Sequence, residues 1–200
     1  MILLVATTNR DKLREIRELL AGVPVTLLGL ADVPPVEEPE ETGLTFEENA
    51  RLKARYYAQA APAGALTVAE DSGLEIDALG GEPGVRSARF LRPDASYAAR
   101  FAEIERRLAE QPAAPRTARF VCAIAVVREG HVLFEARGTV EGEIAREAQG
   151  SAGFGYDPIF YYPPFHSTLA EVTQARKLAI AHRGVAFRRL AEWLRTRTEL

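Results

Sequence analysis

The sequence predicts an α/β fold, a central sheet flanked by helices, on three observations. Residues Ile2 to Ala6 are apolar throughout, the pattern of a strand covered on both faces of a sheet. A polar turn and a helix-spaced apolar set, Leu13, Ile16, Leu19 and Leu20, follow directly, so the order is strand, turn, helix. Further along, Phe120–Val127 and His131–Ala136 flank Glu129-Gly130, the signature of a hairpin.

The remaining elements follow in chain order. The first helix ends at Gly22, and residues 31 to 44, rich in Pro and Glu with no apolar period, read as an exposed acidic loop. Thr45 with Glu48 three residues on forms a capping box that opens a second helix of about four turns, stopped before Pro62. Leu66 to Ala69 is a second strand, expected to close at Glu70-Asp71-Ser72-Gly73. Gly80, Gly81, Pro83 and Gly84 make a turn-rich connection, and Ser96 to Leu108 has helical spacing ended by Pro112 and Pro115. After the hairpin, Val140 to Ile144 reads as another strand, and Gly150 to Pro158 holds too much Gly for regular structure. Helical pattern resumes from about Leu169, is interrupted near Gly184, and continues through Leu194.

Composition bounds what such a chain can do. Two hundred residues, 47% hydrophobic and 26% charged, suffice for one domain, residues 1–200, that buries roughly 70% of its unfolded surface. The net charge of −3 argues against a general nucleic-acid binder and leaves room for a binder of one small anion. Cys122 is the only cysteine, which excludes a disulfide framework and a Cys-based zinc site and suits a reducing compartment. Met1 to Val5 lacks the length and basic flank of a signal peptide or a membrane span, so the expected location is cytoplasmic with no membrane partner. Of 25 basic residues only Lys12, Lys53 and Lys177 are lysines, and Asn9 and Asn49 are the only asparagines. Either base composition leaves three lysines at random, or Lys is kept where the wide fork of Arg does not fit.

Four segments hold residue types suited to chemistry. Thr7-Thr8-Asn9-Arg10-Asp11-Lys12 lies between strand and helix, where backbone N–H groups and the helix dipole favour an anion. Thr and Asn side chains with Lys12 would complete a phosphate cradle; the plainer alternative is an N-cap by Thr8 or Asn9 with Lys12 in water. No Walker A sequence occurs in the chain. On the second helix Asn49 and Lys53 lie four residues apart, hence on one face. Glu70-Asp71-Ser72-Gly73 puts two carboxylates and a hydroxyl at the expected strand end, suited to Mg²⁺ or to activating a water, unless it is a plain Asp-Ser-Gly turn. Glu37, Glu38, Glu40 and Glu41 add acidity in the preceding loop. Gly153-Phe154-Gly155-Tyr156-Asp157-Pro158 combines close backbone approach with two aromatics and a carboxylate, either a base-stacking loop or a tight turn that packs its rings inward. Lys177, His182 and Arg183 follow on the late helical segment.

Taken in order, Thr-Thr-Asn-x-x-Lys, Glu-Glu-Thr-Gly-x-Thr-Phe-x-Glu-Asn-Ala-x-x-Lys, Glu-Asp-Ser-Gly-Leu, Leu-Gly-Gly-x-Pro-Gly-Val-x-Ser-Ala-Arg-Phe, Gly-Phe-Gly-Tyr-Asp-Pro and His-Arg resemble the Ham1-type inosine triphosphate pyrophosphatase family from residue 2 to about 190. The resemblance implies a mixed sheet flanked by helices, with two lobes framing a nucleotide cleft, and a homodimer. It also implies Mg²⁺-dependent attack of water at the α-phosphorus of ITP, dITP or XTP, releasing the monophosphate and pyrophosphate. Residue by residue, Thr7, Thr8, Asn9 and Lys12 match the phosphate-binding turn and Lys53 a second phosphate lysine. Asp71 matches the proton acceptor and metal carboxylate, Ser72 a substrate contact, and Glu40 or Glu41 the acidic metal residue. Phe154, Gly155, Tyr156 and Asp157 match the base-binding loop, followed by Lys177, His182 and Arg183. A fixed donor such as Arg183 would favour the C6 oxygen of hypoxanthine or xanthine over the amino group of adenine. Thr8, where many relatives have Gly, and Glu70, where Asp is frequent, depart from the pattern. A module of the same fold that binds nucleotides without turnover is the alternative, disfavoured because phosphate binding alone has no use for extra carboxylates.

Overall fold

The computed structural model describes residues 1–197. Its regular elements are β1 (Ile2–Ala6), α1 (Arg10–Leu19), β2 (Thr26–Gly29), α2 (Phe46–Tyr57), β3 (Leu66–Ile76), α3 (Tyr97–Ala109), β4 (Thr117–Arg128), β5 (His131–Ile144), β6 (Phe160–Tyr162), β7 (Ser167–Thr168), α4 (Gln174–Ile180) and α5 (His182–Arg197). The strands form one mixed sheet in the order β2-β1-β3-β4-β5-β6-β7. β1 pairs in parallel with β2 and with β3, Leu3 opposite both Leu27 and Leu66, while β6 pairs antiparallel with β5 and β7. Glu129 and Gly130, both at positive φ, make the two-residue turn from β4 to β5. Among the described residues no helix is long and apolar enough to cross a membrane.

Contacts divide the chain into two compact units, each with its own core. The first comprises, among the described residues, 1–71, 122–138 and 182–197. Strand side chains alternate between faces, so Leu3 and Val5 of β1, Leu66 and Val68 of β3, and Cys122, Ile124 and Val126 of β4 share one face. Ile16 and Leu20 from the α1 segment and Phe187, Leu190 and Leu194 of α5 pack against it. On the first turn of α1, Asn9 caps by accepting from the N–H groups of Asp11 and Lys12. The α2 capping box forms as the sequence predicts, Thr45 and Glu48 exchanging side-chain and backbone bonds. The second unit comprises residues 72–121 and 139–181, with a core of Leu74, Ile76, Ile104, Leu108, Phe120, Val140, Ile144 and Phe160 among others.

Three sequence expectations are corrected. β3 does not close at Glu70-Asp71-Ser72-Gly73 but runs on to Ile76, because both carboxylates are buried against cations distant in sequence and need no solvent-exposed turn. β5 is continuous from His131 to Ile144 rather than two strands, the alternation of exposed and covered positions carrying through Gly138 and Thr139. The late helical interruption falls at Ala181, whose ψ of 153° is extended, and Gly184 lies inside the first turn of α5. β2, β6 and β7 have four, three and two residues, too short to show a period.

Candidate functional site

Adjacent residues on a strand point to opposite faces, so Glu70 and Asp71 have different hydrogen-bond partners, though the Lys12 charge acts on both. Asp71 points to the α2 side. There Asn49 Nδ2 donates to its Oδ2 at 3.1 Å, and Lys53 Nζ donates to its Oδ1 at 3.0 Å and to Glu41 Oε1 at 2.6 Å. Helical spacing makes this possible, since Asn49 and Lys53 occupy one buried face of α2. Two ion pairs hold α2 on β5 within this unit, Arg51 with Glu135 at 2.6 Å and Arg137 with Glu47 at 2.8 Å. Of the two acidic candidates for metal, Glu41 is half-buried in this cluster and Glu40 is exposed. Burial pushes the Asp71 carboxyl above its ordinary value, Lys53 pulls it back, and the Glu41 charge adds to the rise. For Lys53 burial works against the charge, but Asp71 and Glu41 together outweigh it and hold the ammonium protonated. Two carboxylates thus face one cation, a local excess of negative charge beside a carboxyl inclined to take up a proton.

Glu70 points the other way, toward α1 and α5. Arg183 Nε and Nη2 donate to its two oxygens at 2.7 and 2.9 Å, Arg183 Nη1 donates to Glu15 Oε2 at 2.5 Å, and Lys12 Nζ lies 2.8 Å from Glu70 Oε1. Glu15, Glu70 and Arg183 are each no more than 3% exposed. Burial alone would raise the Glu70 carboxyl, but Arg183 and Lys12 hold it well below the usual carboxylate range. Burial, with Glu70 beside it, pushes the Cys122 thiol well above its ordinary value, leaving it protonated and donating to Glu70 Oε2 at 3.5 Å. In the turn above, Thr7 Oγ1 accepts the Asn9 N–H at 3.2 Å, and the Thr8 hydroxyl donates to Glu38 at 3.4 Å. Asn9 therefore is the cap, and Lys12 is an ion-paired side chain with 19% of its surface open, not a solvated one. Arg183 was expected to read a base oxygen; here each of its three nitrogens donates to a buried carboxylate. His182, the first residue of α5, is buried beside it in sequence.

In the second unit, Asp157 organises the Gly-rich loop. Its Oδ2 accepts the Phe154 N–H at 2.9 Å and the Lys177 ammonium at 2.6 Å, both Asp157 and Lys177 being buried. Gly153 has φ +72°, and a Cβ there would stand 2.1 Å from Asp157 Oδ2, so no other residue fits. Lys177 Nζ sits 4.7 Å from the Phe154 ring centroid, and that ring is half-buried. Tyr156 differs from the expectation of a stacking face: its ring is buried and its hydroxyl donates to the Ser87 carbonyl at 2.9 Å. Ser72 is half-buried at the start of this unit.

Sequence reasoning missed Glu15 and the separation of Glu70 from Asp71. For Glu15 a signal existed, an acidic residue one helical turn after Lys12 and next to the inward-facing Ile16. Among the described residues there is no group of three or more His, Cys, Asp or Glu side chains that could hold a metal by themselves. Glu41 and Asp71 nevertheless fit Mg²⁺, which takes one or two carboxylates and completes its shell with water and substrate phosphates.

A family model for the Ham1 family matches residues 3–193. The chain is 45% identical over 196 residues to the dITP/XTP pyrophosphatase of Exiguobacterium sibiricum, covering 98% of each chain. It is 44% identical to that of Acidobacterium capsulatum, covering 94% of this chain and 95% of the relative. Among solved structures, a HAM1 protein from Coxiella burnetii superposes with a TM-score of 0.90 at 39% identity over all of both chains. A nucleoside-triphosphatase / dITP/XTP pyrophosphatase from Mycobacterium abscessus gives 0.74 at 42% identity, covering 97% and 99%.

Proposed function

The chain belongs to the Ham1 family, and from that premise we propose that it hydrolyses deaminated purine nucleoside triphosphates, ITP, dITP and XTP, to the monophosphate and pyrophosphate. The observation that carries the reading is the buried Asp71 with a raised pKa, held by Asn49 and Lys53 beside Glu41. A carboxylate with an ordinary pKa is a weak base, and raising it brings it closer to the range where general-base catalysis is efficient. Asp71 takes a proton from the attacking water; the water oxygen bonds to the α-phosphorus, and the bond from that phosphorus to the bridging oxygen breaks with its electron pair leaving on pyrophosphate. Lys53 and Lys12, with Thr7, Thr8 and Asn9 of the turn, serve the phosphates. Glu41 and Asp71 are the residues that would hold Mg²⁺, whose chemistry there is to draw negative charge from phosphate oxygens. Phe154, Gly155, Tyr156 and Asp157, with Lys177, serve the base, Phe154 offering the ring face and Tyr156 the anchored support. Ser72, His182 and Arg183 complete the proposed substrate set, Arg183 acting by fixing Glu70 under Lys12. The reading further takes the protein to be a cytoplasmic homodimer without a nucleic-acid partner.

The test is pyrophosphate release from dITP, XTP, dATP, dGTP and dTTP with Mg²⁺. Preferential release from dITP and XTP is expected. Equal turnover of all five, or orthophosphate as the only product, overturns the reading, and tight ITP binding without turnover under any metal or pH supports the binding-module alternative. A second expectation concerns Lys53→Arg, which keeps the charge but not the compact ammonium that fits between Glu41 and Asp71. Its kcat/KM for dITP should fall about tenfold or more. An unchanged value would leave Lys53 with generic charge only.

A further inference from the structure

The Gly-rich loop of the second unit rests on a residue outside every motif quoted above. Tyr97 is the first residue of α3, placed there by Ser96, whose hydroxyl caps the helix by accepting the Ala99 N–H at 3.2 Å. Its ring meets the Tyr156 ring edge-on at 5.3 Å and the Phe101 ring at 6.0 Å. The Arg100 guanidinium lies 4.8 Å from the Tyr97 ring centroid. Arg100 is 3% exposed, its Nη2 makes long bonds to the Arg92 and Pro93 carbonyls at 3.4 and 3.3 Å, its Nε has no hydrogen-bond partner, and its charge also acts on the Tyr156 phenol. No carboxylate pairs with it among the described residues, so the π face of Tyr97 and the Tyr156 phenol both help accommodate that buried charge. Tyr156 is a stiff neighbour, pinned through its hydroxyl to Ser87.

Against this floor Tyr97 itself is 40% exposed, so burial does not explain its place. Its hydroxyl and ring face the side of Gly155 from which a side chain would project: a Cβ built there would stand 3.5 Å from the phenol oxygen and 3.8 Å from Cζ, and Gly155 has φ +69°, a conformation glycine adopts without strain. We propose that Tyr97 is a specificity-determining positioning residue for purine recognition, limiting the travel of the Phe154-Gly155 backbone and so the orientation of the Phe154 ring. The inference rests on the base-reading role given to that loop above. It is specific to the base, since none of these contacts involves a side chain assigned to phosphate.

The experiment compares wild type, Tyr97→Phe and Tyr97→Ala on dITP and dGTP, with inorganic tripolyphosphate as a competitive inhibitor that carries phosphates and no base. For Tyr97→Ala the expected result is a KM for dITP raised about tenfold, kcat within about twofold, and a smaller dITP-over-dGTP preference. Its inhibition constant for tripolyphosphate should match wild type. Tyr97→Phe keeps the ring on Tyr156 and Arg100 but loses the hydroxyl that faces Gly155, so its KM should fall between wild type and Tyr97→Ala, about threefold above wild type, and a KM as high as that of Tyr97→Ala would overturn the role given to the ring. Wild-type discrimination that persists unchanged in Tyr97→Ala overturns this inference alone. So does a parallel loss of tripolyphosphate inhibition, which would mark a general loss of structure. A wild-type protein that does not prefer dITP overturns the parent reading, and this inference with it.

Discussion

Asp71→Asn is expected to lower turnover of dITP by roughly 10³-fold or more while leaving nucleotide affinity within about tenfold. The substitution preserves shape and most of the hydrogen bonding at the site. The amide oxygen can still accept from Asn49 or from Lys53, and Glu41 still pairs with Lys53 at 2.6 Å. What disappears is the one group whose burial and proximity to Glu41 raise its proton affinity. An interaction made chiefly in the chemical step lowers kcat and kcat/KM together and spares ground-state binding, so single-turnover rates and equilibrium binding of dITP should separate cleanly. A variant that turns over at the wild-type rate would remove Asp71 from the mechanism. One that loses binding by the same factor as turnover would make Asp71 a binding residue only.

Arg183→Met is expected to destabilise the fold by about 3–5 kcal/mol, the usual cost of leaving buried charges without their partner. Methionine fills much of the space, so the loss is electrostatic: Glu15 loses its Arg183 partner and Glu70 loses two of the bonds to its oxygens. For a chain of this size that corresponds to a Tm lower by about 10 °C. The pH dependence distinguishes this cause from lost packing. In the wild type the Glu70 carboxyl is held well below its unfolded value, so its contribution is present at all pH above the ordinary carboxylate range and is lost only as pH falls through the depressed native value. In the variant, Lys12 alone opposes the burial of Glu70, so its native value rises relative to wild type and the stability that its ionised form contributed at higher pH is diminished. The Tm gap between the two proteins should therefore narrow from about pH 8 to about pH 5. A gap that stays constant would assign the loss to packing, and a shift below about 2 °C would mean the ion pairs contribute little net stability.

Much of the fold was legible because its signals are local. The apolar run of β1, the capping box of α2 and the turn at Glu129-Gly130 each depend on residues within a few positions of one another, and each appears where expected, while of the two cap candidates Thr8 and Asn9 the structure selects Asn9. β2, β6 and β7 were not legible, being defined by their neighbours in the sheet rather than by their own composition. β3 was read too short for a related reason. Two adjacent carboxylates look like a strand end unless the reader knows that Lys12, Lys53 and Arg183 arrive to neutralise them, the last from 113 positions away. Asn49 and Lys53 could be placed on one helix face, but their common target could not be named.

The sequence by itself determined the class of fold, the family resemblance and the positions of the rare lysines and asparagines, because these are written in short-range periodicity and in residue identity. Tertiary structure alone decided which carboxylate meets which cation. The pleat of β3 turns Asp71 toward α2, where Glu41 rather than Glu40 joins it, and turns Glu70 toward α1 and α5, where Glu15, Lys12 and Arg183 enclose it. Tertiary structure also withdrew Tyr156 into the core and left Tyr97 half open against Gly155. The physical reason is the same in each case: a charge or a ring in a buried site takes its properties from the groups that long-range folding brings against it, and no window of sequence contains them.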